Sequence, residues 1–161
     1  MKLNLGCGPI LLDGYLNCDM FNPQASLTCN ALKLPFKDNS IEEICSYHLI
    51  EHFDFRQGFE LLNEWCRVLR QGGAVLIECP NFDALCRKYI ELPPEEKFHV
   101  YQGMFGMPWY EGMGHKFVYS PDQLAWHLSQ CGYENIAQSP QQRFNDGINP
   151  EVCMRMTATK K

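Results

Sequence analysis

The sequence predicts an α/β protein built on one mostly parallel sheet, and three observations carry that prediction. Short apolar runs recur along the chain. Helical periodicity appears between them. The first run breaks into a glycine turn, and a carboxylate, Asp19, closes the second run eleven residues after Gly8. At 161 residues the chain has the size of a single domain, so 1–161 is read as one unit. Hydrophobic residues make up 45% and charged residues 20%, the balance of a chain able to bury a core.

The strands are read in order as Leu3–Leu5, Tyr15–Asp19, Leu27–Cys29, Glu43–Ser46, Ala74–Cys79 and Val152–Thr159, with a weaker seventh run near Asn135–Gln138. A helix is expected over Phe55–Arg70, where Phe55, Phe59, Leu62, Cys66 and Leu69 recur at three- and four-residue spacing and form an apolar stripe. Gln71-Gly72-Gly73 would end it through a left-handed glycine cap. A second helix is expected over Pro121–Cys131. Ser120 is a good N-cap, Pro121 takes the first helical position and Gly132 follows the end. Its inward stripe is Leu124, Leu128 and Cys131. Strands that alternate with helices imply parallel pairing.

Between Glu91 and Val118 the pattern fails. This segment holds Pro93-Pro94, glycines, methionines and the aromatics Phe98, Tyr101, Phe105, Trp109, Tyr110 and Phe117. It is too apolar for a linker. An irregular stretch of this length inside a compact domain is a lid or binding loop, or an apolar cluster bracing the sheet.

Net charge is −5 and no basic cluster offsets it, so neither nucleic acid nor an anionic membrane is an expected partner. No apolar run approaches the ~20 residues of a membrane span, and the chain opens on a strand-like run rather than a signal peptide. Nine cysteines are scattered, odd in number and never in CxxC spacing. That usage points to a reducing, cytoplasmic setting without disulfides or a cysteine zinc site.

The stretch Leu3-Asn4-Leu5-Gly6-Cys7-Gly8 followed by Asp19 carries a specific chemistry. Glycines let the backbone approach a ligand without Cβ interference, and an acid at the tip of the next strand accepts hydrogen bonds from two ribose hydroxyls. Further along come Asn30-Ala31-Leu32-Lys33-Leu34-Pro35-Phe36, the run Ser40–Ser46, His48-Leu49-Ile50-Glu51-His52, Arg67-Val68-Leu69-Arg70-Gln71-Gly72-Gly73, and Cys131-Gly132-Tyr133. In this order the pieces resemble the motifs of class I S-adenosylmethionine-dependent methyltransferases, across nearly the whole chain.

The resemblance implies a Rossmann-like domain with an antiparallel last strand, and S-adenosylmethionine as cofactor, released as S-adenosylhomocysteine. It implies cofactor contacts from Gly6, Cys7, Gly8, Asp19, Met20, Asn30, Ala31, Leu32, Ser46 and Tyr47. The subgroup it most resembles is linked to cell-surface sugar or polysaccharide biosynthesis, so the expected acceptor is a small molecule bearing a sugar hydroxyl.

Three departures stand out. Pro9 and Ile10 replace a third glycine. Asn30 stands where the family has Asp, and its amide oxygen can still accept from the adenine amino group. The connections Gly6–Gly14 and Met20–Ser26 are too short for crossover helices. One sheet face should therefore lack its helices and leave apolar surface, which the 91–118 segment, a second subunit forming a homodimer, or both would cover.

Methyl transfer from a sulfonium is an in-line displacement that asks the protein mainly for positioning and exclusion of water. A hydroxyl acceptor also needs a base. His48, His52, His99 and His115 are candidates, with His48 and His115 preferred: His48 follows the fourth strand, and His115 lies in the glycine-flanked run Gly112-Met113-Gly114-His115. The acceptor is expected near His48 and Asn81–Asp83. His48-Leu49-Ile50-Glu51-His52 also spells the H-x-x-E-H of a zinc peptidase, the lesser alternative; no metal centre is expected. A non-catalytic cofactor-binding module is the other alternative.

Overall fold

The computed structural model describes residues 1–107, 112–140 and 150–161. Seven strands form one sheet: β1 (Lys2–Leu5), β2 (Leu16–Asp19), β3 (Leu27–Thr28), β4 (Ile41–Tyr47), β5 (Leu69–Pro80), β6 (Tyr133–Ser139) and β7 (Cys153–Lys160). Their order is β3-β2-β1-β4-β5-β7-β6. β1 to β5 pair in parallel, and β7 runs antiparallel to both β5 and β6. The helices are α1 (Phe55–Val68), α2 (Phe82–Glu91), α3 (Phe98–Phe105) and α4 (Pro121–Gln130).

Register divides the sheet into two chemically distinct faces. Leu3 pairs Leu16 and Ile44, Leu5 pairs Cys18 and Ser46, and Val75, Ile77 and Cys79 continue the row to Ala158, Met156 and Met154. These residues form the core with Leu61, Leu62, Trp65 and Val68 of α1 and Leu124 and Leu128 of α4. Each fully buried leucine or isoleucine there contributes about 1.5–3 kcal/mol.

The opposite face carries Lys2, Asn4, Asn17, Glu43, Cys45, Tyr47, Glu78 and Arg155. Asn4 donates to Asn17 at 2.9 Å and to the Ile10 carbonyl at 2.7 Å. Lys2 pairs Glu43 at 2.8 Å, the Tyr15 hydroxyl donates to Glu43, and Arg155 Nε donates to Glu78 at 2.9 Å. This corrects the expectation of an apolar face in need of cover. Among the described residues the face is largely polar and its polar groups pair with one another. The described residues of the 91–118 segment do not spread across it. The described part of that segment packs at the carboxyl ends of β4 and β5. His115 N–H donates to the Phe105 carbonyl, and Lys116 N–H donates to the Glu51 carbonyl at 2.8 Å. Trp109 and Tyr110 lie outside the described residues.

Three further readings change. The buried stripe of α1 is Gly58, Leu61, Leu62, Trp65 and Val68, one residue out of step with the expected one. Phe55 and Phe59 instead meet α4 through His127, with ring centroids at 4.7 and 4.0 Å. The helix ends at Val68, and Leu69 is already extended, so Gly72 turns the start of β5 rather than capping a helix. The region read as patternless also contains α3, and α2 precedes it. Asn81 caps α2 by accepting from Asp83 and Ala84 N–H at 3.1 and 3.3 Å. α4 is as expected, with Ser120 accepting from Gln123 N–H at 3.2 Å. Among the described residues, no helix is long and apolar enough to cross a membrane.

Candidate active site

At the carboxyl end of β1 the chain turns through Gly6 (φ +63°) and Gly8 (φ +45°), conformations that glycine adopts without steric cost. Cys7 N–H donates to the Cys18 carbonyl at 3.1 Å. Asp19, at the end of β2, ties the turn down. Its Oδ2 accepts from Gly8 N–H at 2.9 Å, while Oδ1 accepts from Phe21 and Asn22 N–H at 2.7 and 2.9 Å. The Asn22 amide donates back to the Gly8 carbonyl. Partial burial pushes the Asp19 pKa up, but the amides of Phe21, Gly8 and Asn22 outweigh it and hold the carboxyl below its usual range. One Oδ2 lone pair stays uncommitted by these bonds. A Cβ at Gly6 would sit 2.7 Å from Leu49 Cδ1, whereas at Gly8 it would meet open space. The turn is therefore braced on one side and open on the other, a cradle fit for an extended ligand.

The other expected cofactor residues ring this turn unevenly. Met20 is half exposed beside Asp19. The Asn30 side chain accepts from Leu32 N–H at 2.9 Å, an Asx turn that leaves its oxygen one further lone pair. Trp65 Nε1 donates to the Ala31 carbonyl at 3.2 Å and fixes that loop to α1. Ser46 ends on the core face beside Leu5, its hydroxyl buried and unpartnered, so a polar group remains to be satisfied at the floor of the cradle. Tyr47 faces the other way: its ring lies under Arg155, 5.6 Å from the guanidinium carbon, and burial raises its pKa to about 12.

The turn after β4 brings three of the four candidate histidines together. His48 adopts φ +53°, a strained conformation for a residue with a Cβ. It is held by its N–H donating to the Glu78 carbonyl at 2.8 Å and by a 3.0 Å contact from Nδ1 to Glu51 Oε1. Its Nε2 lies 4.0 Å from Cys153 Sγ. Burial pushes the His48 pKa down, but the contacts with Cys153 and Glu51 override it and raise it to about 10. His48 is thus a cation at neutrality with both nitrogens engaged. Glu51 is wholly buried and its Oε2 has no partner. His52 Nδ1 lies 3.2 Å from the Gly114 carbonyl, and His115 Nδ1 lies 3.0 Å from the Gly103 carbonyl. The two rings meet edge to face at 5.2 Å. Burial lowers the His115 pKa, which keeps that imidazole neutral. His99 lies apart on α3, exposed and bonded to Gln102.

Residues 50–52 form a single 310 turn, and α1 begins only at Phe55. The helical H-x-x-E-H face that a zinc peptidase requires is therefore not built. Sequence reasoning gave Glu51 no chemical role outside the H-x-x-E-H match and did not single out Leu49, whose side chain lies against Gly6. The H-x-x-E-H spacing itself was the available signal for the cluster.

A sheet of this order with β7 reversed is the fold of solved methyltransferase structures to which the chain is similar, and its glycine turn is tied to an acid at the end of β2. Residues 15–77 match the family model described as a methyltransferase domain. The chain is similar to an uncharacterized protein of Methanocaldococcus jannaschii, at 28% identity over 97 residues, 60% of this chain and 40% of that protein. It is also similar to a human protein named as a probable tRNA methyltransferase 9B, at 25% identity over 129 residues, 79% of this chain and 24% of that protein. The chain thus spans less than half the length of either curated relative. A crystal structure of a SAM-dependent methyltransferase from Archaeoglobus fulgidus superposes with a TM-score of 0.62 at 16% identity, over 99% of this chain and 85% of that one.

Proposed function

We propose that this chain transfers the methyl group of S-adenosylmethionine to a hydroxyl of a small acceptor of the sugar or polysaccharide-precursor kind. One juxtaposition carries the reading: Leu49 packs the acid-tied turn Gly6–Gly8 directly against a buried histidine–carboxylate cluster. The cofactor, when bound, supplies the methyl group and the thioether leaving group. The remaining lone pair of Asp19 suits a ribose hydroxyl, with Met20 and Asn30–Leu32 flanking the adenine. Gly6, Cys7, Gly8 and the orphaned Ser46 hydroxyl suit the methionine end. Tyr47 acts from behind, through Arg155.

As the carbon–sulfur bond breaks and the carbon–oxygen bond forms, the acceptor oxygen must lose its proton. His115 is neutral and its Nδ1 is committed to a carbonyl, so its Nε2 is the group suited to take or share that proton. His48, already cationic, positions Glu51. The segment 91–118 serves as the lid that excludes water. The net charge of −5 counts against a polyanionic acceptor such as tRNA.

The test is calorimetric titration with S-adenosylhomocysteine, followed by transfer of a labelled methyl group to a panel of sugars and nucleotide sugars. Micromolar binding with transfer to a member of the panel is the expected result. Binding without transfer to any hydroxyl favours the non-catalytic module. Absence of binding refutes the reading.

A further inference from the structure

We infer that Glu51, His52 and His115 form a site for one divalent transition-metal ion. One potential ligand atom from each lies within 4.8 Å of the other two. Three independent features prepare them for this. The Glu51 Oε2 is fully buried without a hydrogen-bond partner, and a buried carboxylate oxygen left alone is costly. The Nδ1 atoms of His52 and His115 each face a backbone carbonyl, of Gly114 and Gly103. This fixes both rings as Nδ1–H tautomers and leaves both Nε2 lone pairs bare, the outer-shell arrangement that orients imidazoles toward metals. Finally, His48 holds the other Glu51 oxygen at 3.0 Å, as the second-shell partner of a ligating carboxylate does.

The donor set decides the ion. Two imidazoles and one carboxylate suit divalent manganese, iron, cobalt or zinc, whereas magnesium and calcium take mostly oxygen. Metal–nitrogen bonds of about 2.0–2.1 Å place neighbouring ligands about 3.4 Å apart, so separations of up to 4.8 Å must close by up to about 1.4 Å on binding. The backbone around His115 is pinned by its N–H to the Phe105 carbonyl and by Lys116 N–H to the Glu51 carbonyl, so this closure falls to the side chains. The motif spacing would have paired His48 with His52. The fold instead moves His48 behind Glu51 and replaces it with His115, sixty-seven residues further along the chain.

This inference rests on the methyl-transfer reading of the cleft and deepens it. Three protein ligands leave coordination positions open. With the ion bound, His115 Nε2 would be a ligand and no longer the proton acceptor. An acceptor hydroxyl at an open position would instead lose its proton to solvent, because the ion lowers its pKa, and the methyl group would then pass to the oxygen.

The experiment titrates chelator-treated protein with Mn2+ alone, followed by electron paramagnetic resonance. Manganese is used because the nine cysteines favour softer ions. S-adenosylhomocysteine affinity and thermal unfolding are measured in parallel. One Mn2+ per chain is expected, weakened at least about tenfold in Glu51→Gln and in His115→Asn, with both variants still binding S-adenosylhomocysteine. No Mn2+ bound at ~1 mM overturns the metal site, as does binding that both folded variants leave unchanged. Should Glu51→Gln fail to fold, His115→Asn alone decides. Lost S-adenosylhomocysteine binding in the unaltered protein would refute the methyl-transfer reading, whatever the metal result.

Discussion

Asp19 is the residue whose replacement tests the architecture of the proposed cofactor cleft most sharply, because the structure gives its carboxylate an internal task. Three backbone amides, those of Gly8, Phe21 and Asn22, donate to it at 2.7–2.9 Å. A hydrogen bond to a charged group contributes about 1.5–3 kcal/mol, and partial exposure lets water replace some of that, leaving about 1 kcal/mol for each. Asp19→Ala should therefore destabilise the ligand-free protein by about 2–3 kcal/mol, or about 5–10 °C in Tm for a domain of this size. Asp19→Asn is gentler. Its Oδ1 can keep the Phe21 and Asn22 amides, while its Nδ2 confronts the Gly8 N–H donor to donor, for a loss of about 1 kcal/mol. Both variants should weaken S-adenosylhomocysteine at least about tenfold, since 1.4 kcal/mol is a factor of ten. Thermal unfolding of the free protein and calorimetry with S-adenosylhomocysteine separate the two effects. A carboxylate that served only the ribose would cost affinity in Asp19→Ala and leave the Tm of the free protein untouched; that result would refute the internal role. Normal affinity in Asp19→Ala would instead place the ribose elsewhere.

Other sites yield equally direct tests. Gly6→Ala combines a positive φ with a Cβ 2.7 Å from Leu49. It should cost about 1–2 kcal/mol from the backbone alone and lower cofactor affinity, with partial recovery in the Gly6→Ala/Leu49→Ala double variant; normal affinity in the single variant would show that the turn can move aside. Gly58 sits mid-helix, where alanine would ordinarily add about 1 kcal/mol, but its Cβ would collide with the Tyr119 hydroxyl. Chemical denaturation should show Gly58→Ala destabilised in the unaltered background and stabilised alongside Tyr119→Phe, which also removes a buried hydroxyl with no partner. His127 is buried among Phe55, Phe59, Tyr119 and Trp126, and that burial lowers its pKa to about 4. Because the folded value lies below the unfolded value of 6.5, protonation favours the unfolded chain. Its neutral form thus stabilises fully above pH 6.5, and about 3 kcal/mol is lost as pH falls to 4. The difference between pH–stability profiles of the unaltered protein and His127→Phe should show this slope, and parallel profiles would contradict it.

How much of this was legible in the sequence depended on whether the signal was local. The glycine turn, Asp19, the Ser120 cap and the antiparallel end of the sheet follow from neighbouring residues or from motif order. α2 was not legible because only Leu85 is buried among its ten residues, so no stripe emerges. α1 was shifted by one residue because it packs two partners, the sheet through Leu61, Leu62, Trp65 and Val68 and α4 through Phe55 and Phe59. A single stripe cannot encode two contacts. The site divides in the same way. The glycine turn is contiguous, whereas His115 reaches Glu51 and His52 through the backbone bonds of Lys116 and Phe117 to the Glu51 carbonyl and through the contact of the Gly114 carbonyl with His52.

The bare sheet face carries the more general lesson. The short loops after β1 and β2 correctly implied missing helices, but the alternation within the strands was passed over. A parallel strand covered on both faces reads as continuous apolar sequence. Lys2-Leu3-Asn4-Leu5, Asn17-Cys18 and Glu43-Ile44 do not; they alternate with period two. The side chains left without helices over them are the ones that pair with each other, Lys2 with Glu43, Asn4 with Asn17 and Glu78 with Arg155. Loss of the crossover helices and polarity of the strands are thus one adaptation rather than two. Most of these side chains are nonetheless buried, so their pairing keeps polar groups from being left alone out of water. An apolar residue at the half-buried Glu43 should therefore promote association rather than stabilise the monomer.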